Sequence, residues 1–287
     1  MRPLSELKQD FEVSRSLRDI IDVLKTAAMI QFRSFQLREK LNEDFVKELE
    51  GCFGILAAKN ISHPYLFDRK SLPSIIVVLT SDEGFLGELN TLLVNMSIDR
   101  RRSKNDEMVI FGERGARYLE DINMGFVFFP GITDEVKYEE AEKIRDYLLN
   151  DYKKRFGRII IVYPKFISLT VQRITVWQIL PFKDPIAIQD QHSLSQLLIK
   201  EVVIEPSKDR VVEGIVELWA GFKIMEILCS AKQSEFAARI MHLEGSTQEL
   251  NALKQKLSFE YFRQVHNLRD KVIREISASK IMLGRKH

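Results

Sequence analysis

The sequence predicts an α/β protein in which long helices at the two ends of the chain pair as an antiparallel coiled coil, with an α/β domain inserted between them. Three observations carry this. No proline stands between Pro3 and Pro64 and none follows Pro206, so both ends can run as uninterrupted helix. Apolar residues in both end segments recur at steps of three and four. The middle of the chain changes to short β-branched runs bounded by turn residues.

In the N-terminal segment, expected over 1–62, one stripe runs Leu17, Ile21, Leu24, Ala28, Phe35, Phe45, Leu49, Cys52 and Leu56. A second, Ile20, Val23, Ala27, Ile30, Leu37 and Leu41, lies beside it. Two adjacent stripes make a face wider than a two-stranded seam needs, so this helix should touch more than one neighbour. The C-terminal segment, expected over 205–287, continues the habit through Ile215, Leu218, Phe222, Met225 and Leu228, then Phe236, Ile240 and Leu243, then from Leu250 and Leu257 to Val272 and Ile276. Gly245 and Thr247 loosen the pattern midway. At about 1.5 Å per residue, a helix from near Val211 to near Leu283 would be on the order of 100 Å long.

Between them, over 63–204, the runs Ser74 to Thr80, Met108 to Gly112, Gly125 to Phe129 and Arg158 to Val162 read as strands. Helical stretches near Phe85 to Ile98, Glu113 to Asp121 and Asp134 to Phe156 separate them, an alternation that makes a Rossmann-like, mainly parallel sheet covered on both faces. A longer, more polar strand from Thr170 to Leu180 belongs at an edge.

Composition narrows the function classes. The 287 residues are 45% hydrophobic, and 43 Lys and Arg nearly cancel 41 Asp and Glu. Ample core material argues against disorder, and the charge balance gives no global attraction to nucleic acid or an anionic membrane. No apolar run approaches the roughly 20 residues of a membrane span. The first residues lack an apolar signal core and carry acidic groups, and two cysteines form no framework, so a reducing, cytoplasmic setting is expected. Arg100 to Lys104 is the one dense basic cluster, and flanking Asp99, Asp106 and Glu107 suit a solvated loop.

Catalytic chemistry is scarce. The loop Ser81 to Asn90 follows a buried strand where α/β sheets often bind ligands, but it matches neither GxxxxGK[ST] nor GxGxxG. Its plain reading is structural: Ser81 or Asp82 caps the next helix, and Gly84 and Gly87 let it pack closely. The five histidines show no metal-ligand spacing, so no metal or other cofactor is expected. Cys52 and Cys229 fall on apolar helix faces, where a thiol is an inert small hydrophobe.

Four stretches carry a family resemblance that covers nearly the whole chain. Lys25-Thr-Ala-Ala-Met29 looks like a Lys-Ile-Thr-Lys-Ala-Met segment, and Ser81-Asp-Glu-Gly-Phe-Leu-Gly-Glu-Leu-Asn90 is similar to Ser-Asp-Arg-Gly-Leu-Cys-Gly-Gly-Leu-Asn. Gln178-Ile-Leu-Pro181 with Glu205-Pro206 matches the ends of an α/β domain, and Ser234-Glu-Phe-Ala-Ala-Arg-Ile-Met241 matches a Ser-Glu-x-x-Ala-Arg-Met block. Together they resemble the gamma subunit family of F-type ATP synthases.

The resemblance implies a non-catalytic central-stalk rotor that transmits rotation between the membrane c-ring and a hexamer of alpha and beta subunits, with the epsilon subunit beside its foot. It also implies a peripheral position on the cytoplasmic side of a bacterial cell membrane, touched only through the c-ring, and an ion, proton or sodium, carried by the ring. Hexamer contacts are expected at Lys25, Met29, Val265, His266, Leu268, Arg269, Val272 and Ile276, and foot-to-ring contacts at Ile204 and Glu205. Six residues near the C-terminus, Leu268, Val272, Ile276, Ile281, Met282 and Leu283, would turn in an apolar bearing, or else pack inside the helix pair.

This sequence departs from the family pattern at Glu83 for arginine, Leu86 for cysteine and Glu88 for glycine. In the last helix Phe262 stands for Asn, Val265-His266 for Arg-Gln and Asp270 for Thr. The run Ile30 to Arg38 looks more like the alternate, often sodium-linked, branch. Alternatives left open are the rotor of a divergent ion-pumping or repurposed ATPase, a non-rotary coiled-coil adaptor, and a small-molecule enzyme resting on the Ser81 to Asn90 loop.

Overall fold

The structure is a computed structural model that describes residues 3–58, 63–67, 69–182 and 204–284. The side chains of Leu37, Leu41, Phe45, Ile281, Met282 and Leu283, which the sequence assigns to apolar stripes, lie outside the described residues.

Two helices dominate: α1 (Leu4–Ala58, 55 residues) and α5 (Lys208–Gly284, 77 residues). Between them lie β1 (Ser74–Leu79), α2 (Leu89–Asp99), β2 (Glu107–Phe111), α3 (Glu113–Asp121), β3 (Val127–Phe129), α4 (Tyr138–Arg155), β4 (Arg158–Ser168) and β5 (Val171–Leu180). Each strand expected from the sequence is present, and the polar one, β5, is an edge. The sheet order is β3-β2-β1-β4-β5, with every pair parallel except β4 and β5.

The fold divides into two compact units, one of residues 28–241 and one that joins 1–27 to 242–287. In the larger, alternation along the strands sends side chains to two cores. Ile75, Val77, Leu79, Val109, Ile159 and Ile161 face a core shared with α1, α4 and α5. Ile76, Val78, Met108, Ile110, Ile160 and Val162 face a second core under Leu93 and Val94 of α2 and Leu119 of α3. Six consecutive β1 residues are therefore buried, as a central parallel strand requires. Aromatic residues fix α5 to its neighbours: Phe53 stacks on Phe182 with ring centres 4.1 Å apart, and both meet Trp219 edge-on. Phe35 of α1 stacks on Phe236 of α5.

The loop after β1 differs from its sequence reading. Helix α2 starts at Leu89, not near Phe85, because Phe85 (φ 64°) and Gly87 (φ 58°) both take the left-handed conformation. Neither Ser81 nor Asp82 caps it, and Glu88 at the cap position makes no side-chain bond. Asp82 instead accepts from the backbone N–H of Glu113, the first residue of α3, at 2.9 Å and from that of Gly131 at 3.1 Å. It closes a different helix from across the sheet edge. A side chain added at Gly87 would meet nothing, so this glycine turns the chain and packs against nothing.

In the smaller unit the two helices meet along a seam of mixed character. Leu7 and Ser14 of α1 are buried at seven-residue spacing, with Ile21 and Lys25 half-buried. Thr247 and Leu257 of α5 are buried, with Leu250, Lys254 and Tyr261 half-buried between and beyond them. Lys25 donates to Glu244 at 2.9 Å, and Lys254 lies over the Phe11 ring. The sequence reading assigned Leu17 and Leu24 to the buried stripe, and that is corrected: Leu17 is 45% and Leu24 39% exposed. A narrow seven-residue seam takes Ile21 and leaves Leu17 and Leu24 of the same stripe outside it.

Candidate partner-facing surface

A ligand crevice in a parallel sheet should open beyond the carboxyl ends of strands where the chain reverses direction across the sheet, here between β1 and β4. That space is filled. Ala231 and Glu235 of α5 cover Thr80, Ser81, Asn90 and Pro164, leaving a cavity of about 10 Å³, room for roughly one water. The loop itself is consumed in structure: Ser81 Oγ donates to the Glu83 carbonyl, Asn90 Oδ1 accepts from the Ser81 N–H, and Ser81's carbonyl accepts from Arg114. Gly112 at φ 97° lies so close to Thr80 that an added Cβ would come within 2.6 Å of its carbonyl oxygen. Among the described residues, the polar groups of this loop are taken up by contacts within the fold, and the small-molecule enzyme alternative is not favoured.

Over this crevice α5 presents charge. Lys232, Glu235 and Arg239 are each at least nine-tenths buried, and they lie on one face at spacings of three and four. Burial pushes the Glu235 carboxyl up, against the downward pull of Lys232 and Arg239. Glu83, which departs from the family pattern, pairs with Arg239 of the Ser234 to Met241 block at 3.0 Å. Charge reversal in the loop therefore meets a cation already fixed on the helix. The sequence carried both residues, but no local spacing links positions so far apart.

The smaller unit supplies the surface that asks for a partner. On α1, Val13, Leu17, Ile20, Val23 and Leu24 are 39 to 68% exposed, and they repeat at three and four, so they form one outward apolar face. On α5, Phe259 is 73% and Phe262 61% exposed. Beyond Asn267 every residue from Leu268 to Ser279 is exposed. A helix of this kind without packing is marginal in water, and apolar faces of this extent mark interaction sites.

The expected contact residues are divided between the two units. Leu268, Val272 and Ile276 are each about half exposed, which rules out packing inside the helix pair for these three. Arg269 and His266 are exposed and Val265 is half-buried. Lys25 is tied to Glu244 and stands farther along the pair, since Leu7 and Phe11 are the α1 residues that line a groove with Leu257, Tyr261 and Phe262. Met29 is 41% exposed and belongs to the larger unit. So do Ile204, half-buried against the core, and Glu205, exposed. The sequence missed the outward face of α1 as a candidate site; the available signal was the width of its two adjacent stripes, which together supply Leu17, Ile20, Val23 and Leu24.

Paired helices that expose apolar residues, and an α/β unit whose sheet crevice is closed by its own helix, define a stalk-like class of protein with surface left over for partners. Comparison with known proteins carries this further. The model of the ATP synthase family matches residues 3–275. The ATP synthase gamma chain of Clostridium novyi is 26% identical over 91% of both chains, and that of Clostridium beijerinckii 28% identical over 91% of both. Among solved structures, the rotor of the Euglena gracilis mitochondrial ATP synthase has the same fold, with a TM-score of 0.71 at 15% identity, covering 92% of this chain and 98% of the other. The central stalk and c-ring structure of the Tetrahymena thermophila enzyme gives a TM-score of 0.58 at 16% identity, covering 79% and 99%. The chain belongs to the ATP synthase gamma family.

Proposed function

We propose that this chain is the central-stalk rotor of an F-type ATP synthase, turning inside a hexamer of alpha and beta subunits and resting, with the epsilon subunit, on an ion-translocating c-ring. The carrying observation is the outward apolar face of α1 together with the unaccompanied helix after Asn267. Both need a surrounding partner, and neither is useful to an isolated scaffold. The nucleotide chemistry belongs to the hexamer; this chain has its own sheet crevice filled by Glu235 and Ala231.

In this reading Leu268, Val272 and Ile276 run in the apolar bearing, Val265, His266 and Arg269 grip the catalytic subunits, and Lys25 and Met29 contribute from α1. Glu205 meets the c-ring, with Ile204 packed beneath it as support. Among the described residues no helix is long and apolar enough to cross a membrane, so contact with the membrane goes through the ring. The peripheral, cytoplasmic face of a bacterial membrane fits these contacts. The ring would carry protons or sodium ions, and the sodium-linked branch is favoured by the run from Ile30 to Arg38.

The test is Mg-ATPase activity of the alpha and beta subunits from the same genome, co-expressed with and without this chain. A stable complex with stimulated turnover is expected. Absence of both would return the chain to the adaptor reading.

A further inference from the structure

Three charges on α5 cannot balance one another. Lys232 and Arg239 share a single carboxylate, Glu235, at 3.1 and 2.7 Å. All three lie beside Phe236 and Ala237 in the core of the larger unit, where an unpaired charge is poorly tolerated. The missing negative charge comes from the sheet side, through two loops. Asp134, after β3, takes Lys232 at 3.1 Å, and Glu83, after β1, takes Arg239 at 3.0 Å.

The two loops are one platform. Asp82, next to Glu83, accepts the Gly131 N–H three residues before Asp134, and also the first N–H of α3. A Cβ at Gly131 would lie 2.6 Å from the Asp82 carboxylate, so the contact is as close as backbone permits. Gln31 of α1 donates to the other oxygen of Asp134. Glu83 and Asp134 are thus held at a fixed separation, and they meet cations seven residues apart, two helical turns along α5.

We infer that Glu83 and Asp134 form a two-point clamp that sets the register of α5 on the sheet and stops it rolling or sliding under load. The inference rests on the rotor reading, in which torque must pass between sheet and helix. A shift of α5 by one residue turns its face by about 100° and would break both pairs together, leaving two buried cations short of partners. Stability alone does not account for Glu83. Its side chain is 69% exposed, and an ion pair with one exposed member adds little to folding. It does add a direction, because Glu83 reaches Arg239 from the sheet side while Glu235 holds the same guanidinium nitrogen from along the helix.

The experiment uses the full chain and E83Q, D134N and their double variant, none of which alters the apolar core. Backbone hydrogen exchange of the α5 amides from Leu228 to Met241 is measured first. Each single variant should speed exchange about threefold, and the pair by clearly more than the product of the two. Protection unchanged within about twofold in the double variant, or strictly multiplicative effects, would overturn the clamp. The same variants are then assembled with the hexamer and c-ring. ATP hydrolysis should persist while ions pumped per ATP fall at least about twofold in the double variant. Full pumping in that variant overturns the clamp and leaves the rotor standing. If the unaltered chain fails to assemble, the rotor reading falls, and the exchange data still decide whether the clamp exists.

Discussion

The two halves of α5 are written in the same alphabet and meet opposite fates. From Val212 to Phe236 most apolar residues are hidden, Leu218 of the expected stripe being an exception at 40% exposure, and even Lys232, Gln233, Ser234 and Glu235 are buried. From Leu253 to Ile276 the apolar residues are largely bare: Phe259, Phe262, Leu268, Val272 and Ile273 are half or more exposed. Helical periodicity runs unbroken through both. What differs is the supply of partners within the chain. The first half lies among a sheet, α1 and α4; the second has only the first turns of α1, and after Asn267 no described neighbour at all. An apolar stripe therefore reports that something covers it, and leaves open whether that something is the same chain.

Substitutions can break this contrast. The largest effect should come from Trp219→Ala, which removes the ring that the stacked Phe53 and Phe182 both meet edge-on and should cost about 3–5 kcal/mol in denaturant unfolding. A loss under about 1 kcal/mol would mean the first half is packed no better than the second. Leu257→Ala, buried but at the edge of an open groove, should cost about 2 kcal/mol, the low end for a core leucine. Phe259→Ser should change stability by less than about 0.5 kcal/mol while weakening binding to the alpha–beta hexamer. Unchanged affinity would show that this bare aromatic faces solvent in the assembly as well.

The smallest effect expected is a slope. Burial is the main cause that lowers the His63 pKa, with Lys153 adding to it against Asp209 and Glu213. The unfolded chain, with histidine titrating near about 6.5, then binds a proton that the folded chain refuses. Stability from this group is present above that value and is lost as pH falls through the lowered one. His63→Gln should flatten the dependence of stability on pH below about 6.5; an unchanged slope would assign it to other groups.

Much of the fold was legible because it depends on local pattern. Ile75 to Leu79 and Arg158 to Val162 could be little other than buried strands, and Glu113–Asp121 matches its helix end for end. The start of α2 was not legible, since a bulky residue such as Phe85 rarely takes the left-handed conformation and no propensity foretells it. On α1 both stripes were visible, but which of their residues are covered depends on how Leu7, Ser14, Ile21 and Lys25 meet α5, and this leaves Leu17 and Leu24 bare. The expected bearing residues Leu268, Val272 and Ile276 were visible as apolar positions, and only the structure removes them from the interior of the pair. The bond between Glu83 and Arg239 joins positions that no motif couples.

The bare stretch from Leu268 to Ser279 also bears on how such a chain survives before it is assembled. Newly made and alone, it would offer proteases a helix with no packing to protect it, and would offer other copies an adhesive apolar strip. Its lifetime in the cell should therefore be set by how quickly a ring closes round it. Supply of this subunit in excess of its partners would be cleared or precipitated, so that the hexamer itself meters how many rotors exist.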